Sequence, residues 1–168
     1  MNKERVKKTK RFDVIVIGSG SGLEISSEAA EKGMKVAVVE KGAFGGTCLN
    51  RGCIPSKMLI HSADVAETIK NSSTFGINSK ITGIDWKKLQ KRVWRHIDPE
   101  AKEIEEGNRE TKNITVYKTE AKFVGKKVLD LGKELITADK IFICAGTRPS
   151  IPPIKGLEKI KYYTSDDV

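Results

Sequence analysis

Asp13-Val14-Ile15-Val16-Ile17-Gly18-Ser19-Gly20-Ser21-Gly22 decides the fold. Val14 to Ile17 is an unbroken β-branched run, the pattern of a strand buried on both faces. The glycines after it let the chain reverse sharply. Leu23 to Lys32 has helical composition, with Leu23 and Ala30 available for an apolar face, and Gly33 suits a helix end. Lys35 to Glu40 reads as a second buried strand closing on an acid. A strand, a glycine turn, a helix and a strand within residues 13–40 make a βαβ unit.

The turn has a chemical consequence. Free N–H groups at a helix start, reinforced by the helix dipole, favour an anion, and Gly18 and Gly20 allow a pyrophosphate to approach the backbone. Glu40 stands where a carboxylate accepts hydrogen bonds from an adenosine ribose. The usual third glycine falls on Leu23. That glycine normally lets helix and strand pack closely, so the helix is expected to sit slightly further out unless Gly22 compensates. A glycine turn with a purely structural role is the alternative, and the turn alone does not choose between FAD and NAD.

Beyond Glu40 the chain is glycine-rich from Gly42 to Gly52. A helix is expected from Ile54, with Pro55 tolerated in its first turn and Leu59, Ala63, Ala66 and Ile69 at helical spacing. Residues 72–83 read as a loop. Asp85 can cap a further helix whose stripe runs through Trp86, Leu89, Val93, Ile97, Ala101 and Ile104. Trp86 is expected in the core, and Pro99 is expected to kink or interrupt the helix. Ile114 to Lys118 reads as a third core strand. Ala121–Val124, Lys127–Leu131 and Glu134–Thr137, separated by glycines, read as an antiparallel meander, with Lys140–Cys144 as another buried strand. Pro149, Pro152 and Pro153 stop regular structure.

Gly45-Gly46-Thr47-Cys48-Leu49-Asn50-Arg51-Gly52-Cys53-Ile54-Pro55-Ser56-Lys57 carries the chemistry. Residues five apart on an ideal α-helix have Cα atoms about 8.7 Å apart, and a disulfide needs roughly 4.4–6.8 Å. A regular helix across Cys48 and Cys53 forbids the bond; a distorted first turn permits it, and Gly52 offers the freedom. Thiolates at a helix mouth also gain from the dipole. A reversible redox disulfide fits these features. Other readings are a metal site, poorly served by this spacing without nearby histidine, two inert thiols, and a structural disulfide, which a reducing compartment disfavours.

On these motifs, from about Phe12 to its last residue, the chain resembles the class I pyridine nucleotide–disulfide oxidoreductases, which include dihydrolipoamide dehydrogenase, glutathione and mycothione reductases and mercuric reductase. The resemblance implies an α/β fold: a Rossmann-like FAD-binding domain with a parallel sheet and an antiparallel meander. It implies FAD contacts at Gly18, Gly20, Ser21, Gly22, Glu40, Lys41, Gly46, Thr47, Cys48, Lys57, Ala121 and Gly146. Cys53 is then the charge-transfer thiol beside the flavin and Cys48 the interchange thiol that meets the substrate. Lys57 is a buried ammonium near flavin N5, and Ala121 touches the adenine through its backbone. Gly146 takes the glycine of the family's Ala-Thr-Gly motif, here Cys144-Ala145-Gly146, and Cys144 is a small core residue. No metal site is expected. His61 and His96 match no family position.

The run from Leu49 to Lys57 looks most like dihydrolipoamide dehydrogenase; Leu23 and Arg95-His96-Ile97-Asp98-Pro99 look like the mycothione reductase branch. Electrons are expected to pass between a small dithiol or disulfide of lipoamide type, the cysteine pair, FAD and NAD(P). The nicotinamide and dimerisation domains are expected to lie outside this chain, which is then inactive alone and homodimeric when complete. The alternatives are a mycothione- or glutathione-type reductase or a mercuric reductase and, from another class, a non-catalytic FAD-binding redox module. An NAD-dependent dehydrogenase would leave the cysteine run unexplained.

The chain has 168 residues, 38% hydrophobic and 32% charged, with a formal net charge of +9. That composition is ordinary for a soluble domain, and no apolar run approaches the roughly 18–20 residues of a membrane span. Residues 1–11 are read as a basic disordered tail and 12–168 as the FAD-binding portion. Nucleic-acid binding is not expected, since basic charge outside the tail is interleaved with acid. With no signal sequence apparent, a cytoplasmic location is expected.

Overall fold

The computed structural model describes residues 8–167. The strands β1 (Thr9–Ile17), β2 (Val36–Val39), β3 (Ile114–Tyr117), β4 (Lys122–Gly125), β5 (Val128–Asp130) and β6 (Leu135–Ile143) form one sheet in the order β3-β2-β1-β6-β5-β4. β3, β2, β1 and β6 run parallel; β5 and β4 are antiparallel. This is the α/β sheet with an appended meander that the sequence implies.

The centre of the sheet is dry because its strands are continuously apolar. Ile15, Val16, Val36, Ala37 and Val38 are fully buried. Alternation splits them between two faces: Ile15, Ala37 and Val39 pack with Phe12, Leu129 and Ile136 in one cluster, and Val14, Val16, Val36 and Val38 join Ala29, Ala30 and Phe44 in the other. Helix α1 (Gly22–Glu31) covers the second face.

The chain divides into two compact units, whereas the sequence reading treats 12–168 as one domain portion. The first runs through Gly46 and resumes over Ala101–Gly146; the second comprises Thr47–Glu100 and the chain from Thr147 onward. The second unit contains most of α2 (Gly46–Arg51), α3 (Cys53–Asn71), a 3-10 turn at Ser72–Phe75, and the first half of α4 (Trp86–Glu110). α4 passes from one unit into the other.

Several local expectations are corrected. Thr9 to Arg11, assigned to the tail, lie in β1, because β6 extends far enough to pair them with Leu135–Thr137. Their charges stay exposed, and Arg11 pairs with Asp139. The rest of the assigned tail, apart from exposed Lys8, lies outside the described residues. Glu134–Thr137 and Lys140–Cys144 merge into β6, whose last residues Phe142 and Ile143 are exposed. α4 continues unbroken through Pro99. Asp85 does cap it, accepting from Lys88 N–H at 3.0 Å. Trp86 is exposed: the buried stripe runs through Val93, Ile97 and Ala101, and Trp86, the first helical residue, lies beyond the covered part.

Candidate active site

The glycine turn in the first unit is built by steric necessity. Gly18 has φ +106°, and a Cβ there would lie 2.1 Å from the Cys144 carbonyl oxygen. The end of β6 therefore closes over the turn, with Cys144 N–H donating to Ile17 O at 2.7 Å. Gly46 has φ +64°, and its Cβ would sit 2.5 Å from the Gly20 Cα, so two glycine backbones touch. Gly22 takes over the part of the missing third glycine. A Cβ on it would meet Val16 Cγ1 at 2.6 Å and the Cys144 Cβ at 2.9 Å. Leu23 can therefore replace the usual glycine without lifting α1 off the sheet.

Glu40 is held by the turn. Its Oε2 accepts from both the N–H and the hydroxyl of buried Ser19, each at 2.9 Å, and its Oε1 accepts from Gly42 N–H at 2.6 Å. A carboxylate has about four acceptor positions, so one remains for a ligand hydroxyl. Ser21, the N-cap of α1, makes no side-chain capping bond; the Leu23 N–H donates to Gly20 O at 3.0 Å, and the other N–H groups of the first turn can meet an anion. The backbone cradle, the uncapped helix start and a pre-oriented carboxylate fit the pyrophosphate and ribose of a dinucleotide. Sequence reasoning missed Ser19, the residue that orients Glu40; a polar side chain between glycines gives no sign of burial.

The second unit holds the cysteines. α2 ends at Arg51, Gly52 takes φ −131° and ψ −107°, and α3 begins at Cys53. This break draws the Cys48 and Cys53 Cα atoms to 4.7 Å, and the two sulfurs are bonded. The regular-helix spacing is thus avoided at Gly52, whose Cβ would press to 3.0 Å from Thr47 O. Both cysteines and Thr47 are exposed, while Leu49, Asn50 and Pro55 beneath them are buried. Arg51 reaches Asp166 at 3.5 Å, tying the motif to the end of the chain.

The pyridine nucleotide-disulphide oxidoreductase family model matches residues 12–168. The chain belongs to that family. It is 42% identical over 165 residues to a mycothione reductase of Mycobacterium tuberculosis, covering 94% of this chain and 35% of that protein. To a dihydrolipoyl dehydrogenase of Chlorobaculum parvum it is 38% identical over 154 residues, covering 88% and 32%. The solved Cu(II) complex of the HOCl-induced flavoprotein disulfide reductase RclA from Escherichia coli superposes with a TM-score of 0.71 at 27% identity, covering 88% of this chain and 31% of that one. The chain spans about a third of the length of the curated relatives it matches.

The residues that the sequence reading assigns to the site are distributed as follows. Gly18, Gly20, Ser21, Gly22, Glu40, Lys41, Gly46, Ala121 and Gly146 lie in the first unit; Thr47, Cys48, Cys53 and Lys57 lie in the second. Lys57 is exposed rather than buried, because it projects from the first turns of α3, where little covers it. Lys41 is bound to Glu120 at 2.8 Å on the surface. Ala121 packs half-buried against the core, and Gly146 takes φ +68°. Cys144 is half-buried beside Val16, as a small packing residue. His61 is exposed, and His96 pairs with Glu100 at 3.0 Å. Among the described residues, no helix is long and apolar enough to cross a membrane, and no group of three or more His, Cys, Asp or Glu is placed to hold a metal.

Proposed function

We propose that this chain is the FAD-binding part of a dithiol/disulfide oxidoreductase in which Cys48 and Cys53 cycle between bridge and dithiol. The exposed bridge at the head of α3 carries the reading. A structural disulfide gains nothing from exposure at a helix mouth; a reactive one needs both access and thiolate stabilisation.

In the reducing direction, the Cys48 thiolate attacks a substrate disulfide. A mixed disulfide forms and one substrate thiolate leaves, taking up a proton. Cys53 then attacks the Cys48 sulfur, which expels the second substrate thiolate and restores the bridge. Two electrons have moved from the cysteine pair to the substrate, and the opposite sequence oxidises a dithiol. Bound FAD supplies two-electron chemistry linking this pair to NAD(P). Gly18, Gly20, Ser21, Gly22 and Gly46 would receive its pyrophosphate and Glu40 its ribose. Thr47, Lys57, Ala121 and Gly146 are the further contacts proposed, with Lys57 drawn in as a cation beside the flavin.

A disulfide of the mycothione type is the first substrate to test, since mycothione reductase is matched at higher identity and coverage than dihydrolipoyl dehydrogenase. Lipoamide is the second. The complete protein is proposed to be a cytoplasmic homodimer, and these 168 residues alone to lack sustained turnover.

Two measurements test the core of the reading. Thiol titration of the unfolded chain should give one free thiol before treatment with a dithiol and three after it; three at the outset, under air, would refute a stable bridge. Mixing with FAD and desalting should leave flavin absorbance with the protein, and Gly20→Val should remove it.

A further inference from the structure

α4 carries its charges in the wrong order for a helix. From Trp86 to Ile97 it has Lys87, Lys88, Lys91, Arg92 and Arg95 and no acid, while Asp98, Glu100, Glu103, Glu105, Glu106 and Glu110 crowd its second half. Cations near a helix N-terminus oppose the dipole. Lys88 and Arg92, and Lys91 and Arg95, are also like charges four residues apart, which repel on a helix surface. Such an arrangement weakens the isolated helix, and the Asp85 cap sets one carboxylate against five cations, which leaves a place for a further anion.

The structure places these cations around a cavity. Lys88, Lys91, Arg92, Arg95 and His96 line it together with Met58 of α3, and it measures ≈ 550 Å³, within the usual range of small-molecule sites. All six lie in the second unit. Arg92 is fixed, donating to Met58 O at 2.7 Å and to Ser62 Oγ at 2.9 Å. Lys88, Lys91 and Arg95 have no ion-pair partner among the described residues; the one carboxylate paired with a lining side chain is Glu100, on His96. Three cationic side chains without an ion-pair partner and one with an anchored guanidinium thus line one open, concave surface. Solvated charges with no role would be expected to spread across a convex face or to alternate with acids.

We propose that this cavity between α3 and α4 binds a compact polyanion, a small molecule bearing several phosphate or carboxylate charges. The side chains suit either group: Arg92 and Arg95 offer planar donor forks and the lysines offer point charges. The site is separate in sequence from the glycine turn and does not depend on the redox reading. A bound anion would hold α4 against α3 and relieve the repulsion along α4.

Inorganic pyrophosphate and citrate, titrated in parallel into the isotopically labelled 168-residue chain at low ionic strength, test this and distinguish phosphate from carboxylate ligands. Saturable amide shifts at Lys88, Lys91, Arg95 and His96 with at least one of the two are expected. The pair Lys91→Gln with Arg95→Gln should weaken that binding at least tenfold, and Lys126→Gln with Lys133→Gln, at exposed positions in the first unit, should leave it unchanged. Arg92 is retained because it bonds α3. Shifts confined to residues 18–22, equal affinity in the two double variants, or binding of a single-stranded oligonucleotide with no response to either small anion would overturn the proposal. If the first double variant fails to fold, the shift map of the unaltered chain still decides between these outcomes.

Discussion

A single methyl group separates the roles of the glycines. At Gly22 the added carbon would overlap Val16 Cγ1 and the Cys144 Cβ, both in a packed core. Overfilling such a site costs about 1–3 kcal/mol, so Gly22→Ala should lower the melting temperature in a thermal scan. Gly107, inside α4, has nothing within 4 Å of its would-be Cβ. There alanine removes only a helix penalty, and Gly107→Ala should stabilise the protein by about 1 kcal/mol. Opposite signs for the two substitutions would show that close approach, rather than backbone freedom in general, selects glycine at the turn. This also explains a departure visible in the sequence. Leu23 breaks the usual glycine pattern, and the residue doing the close packing is its neighbour, which sequence reasoning could name only as a compensator because depth of contact has no linear signature.

At the scale of elements, the central strands were legible because each is apolar on both faces and ends at a glycine or an acid. β6 was not, since Asp139 and Lys140 interrupt its apolar run, yet pairing with β1 on one side and β5 on the other carries the strand through them. The cysteine bridge was legible as an option that required a helix break, and Gly52 supplies it. Pro99 misled for a related reason: its missing N–H and ring clash are local costs, and packing on both sides of it, at Ile97 and Ala101, sustains the helix. Pro99→Ala should accordingly stabilise the protein by up to about 3 kcal/mol, read by denaturant titration. β3 contributes a pH effect. The Tyr117 hydroxyl is buried, and burial, aided by the neighbouring Glu134 carboxylate, pushes its pKa up to about 12. The fold favours the neutral phenol. Its contribution is complete below about pH 10, where a free tyrosine titrates, and falls as pH rises through about 12, because over that window the unfolded chain has lost the proton and the folded chain has not. Tyr117→Phe should show a shallower loss of stability across that interval than the unaltered protein.

For the whole molecule, burial is unevenly shared, and the two units should differ in how readily they open. Phe12, Val14, Ile15, Val16 and all of β2 are almost completely buried in the first unit. In the second, the described buried side chains are Leu49, Asn50, Pro55, Val93 and Ile97, while Ile60, Val65, Phe75, Ile77, Ile84 and Tyr163 are exposed. Local opening is cheapest where few apolar contacts must be broken. Amide hydrogen exchange should therefore be slowest in β1, β2 and the part of β6 beside them, and much faster in α3 and residues 76–85. The bridge adds a condition. It holds the end of α2 to the start of α3 across the Gly52 break, so it restricts the unfolded freedom of that segment rather than of the sheet. Reduction by a dithiol should speed exchange from Thr47 to about Ser62 and leave β1 and β2 unchanged. Equal acceleration in the sheet would mean that the second unit does not open independently. No acceleration anywhere would mean that the bridge contributes nothing to holding the α2–α3 junction, which would then stay formed with the cysteines reduced.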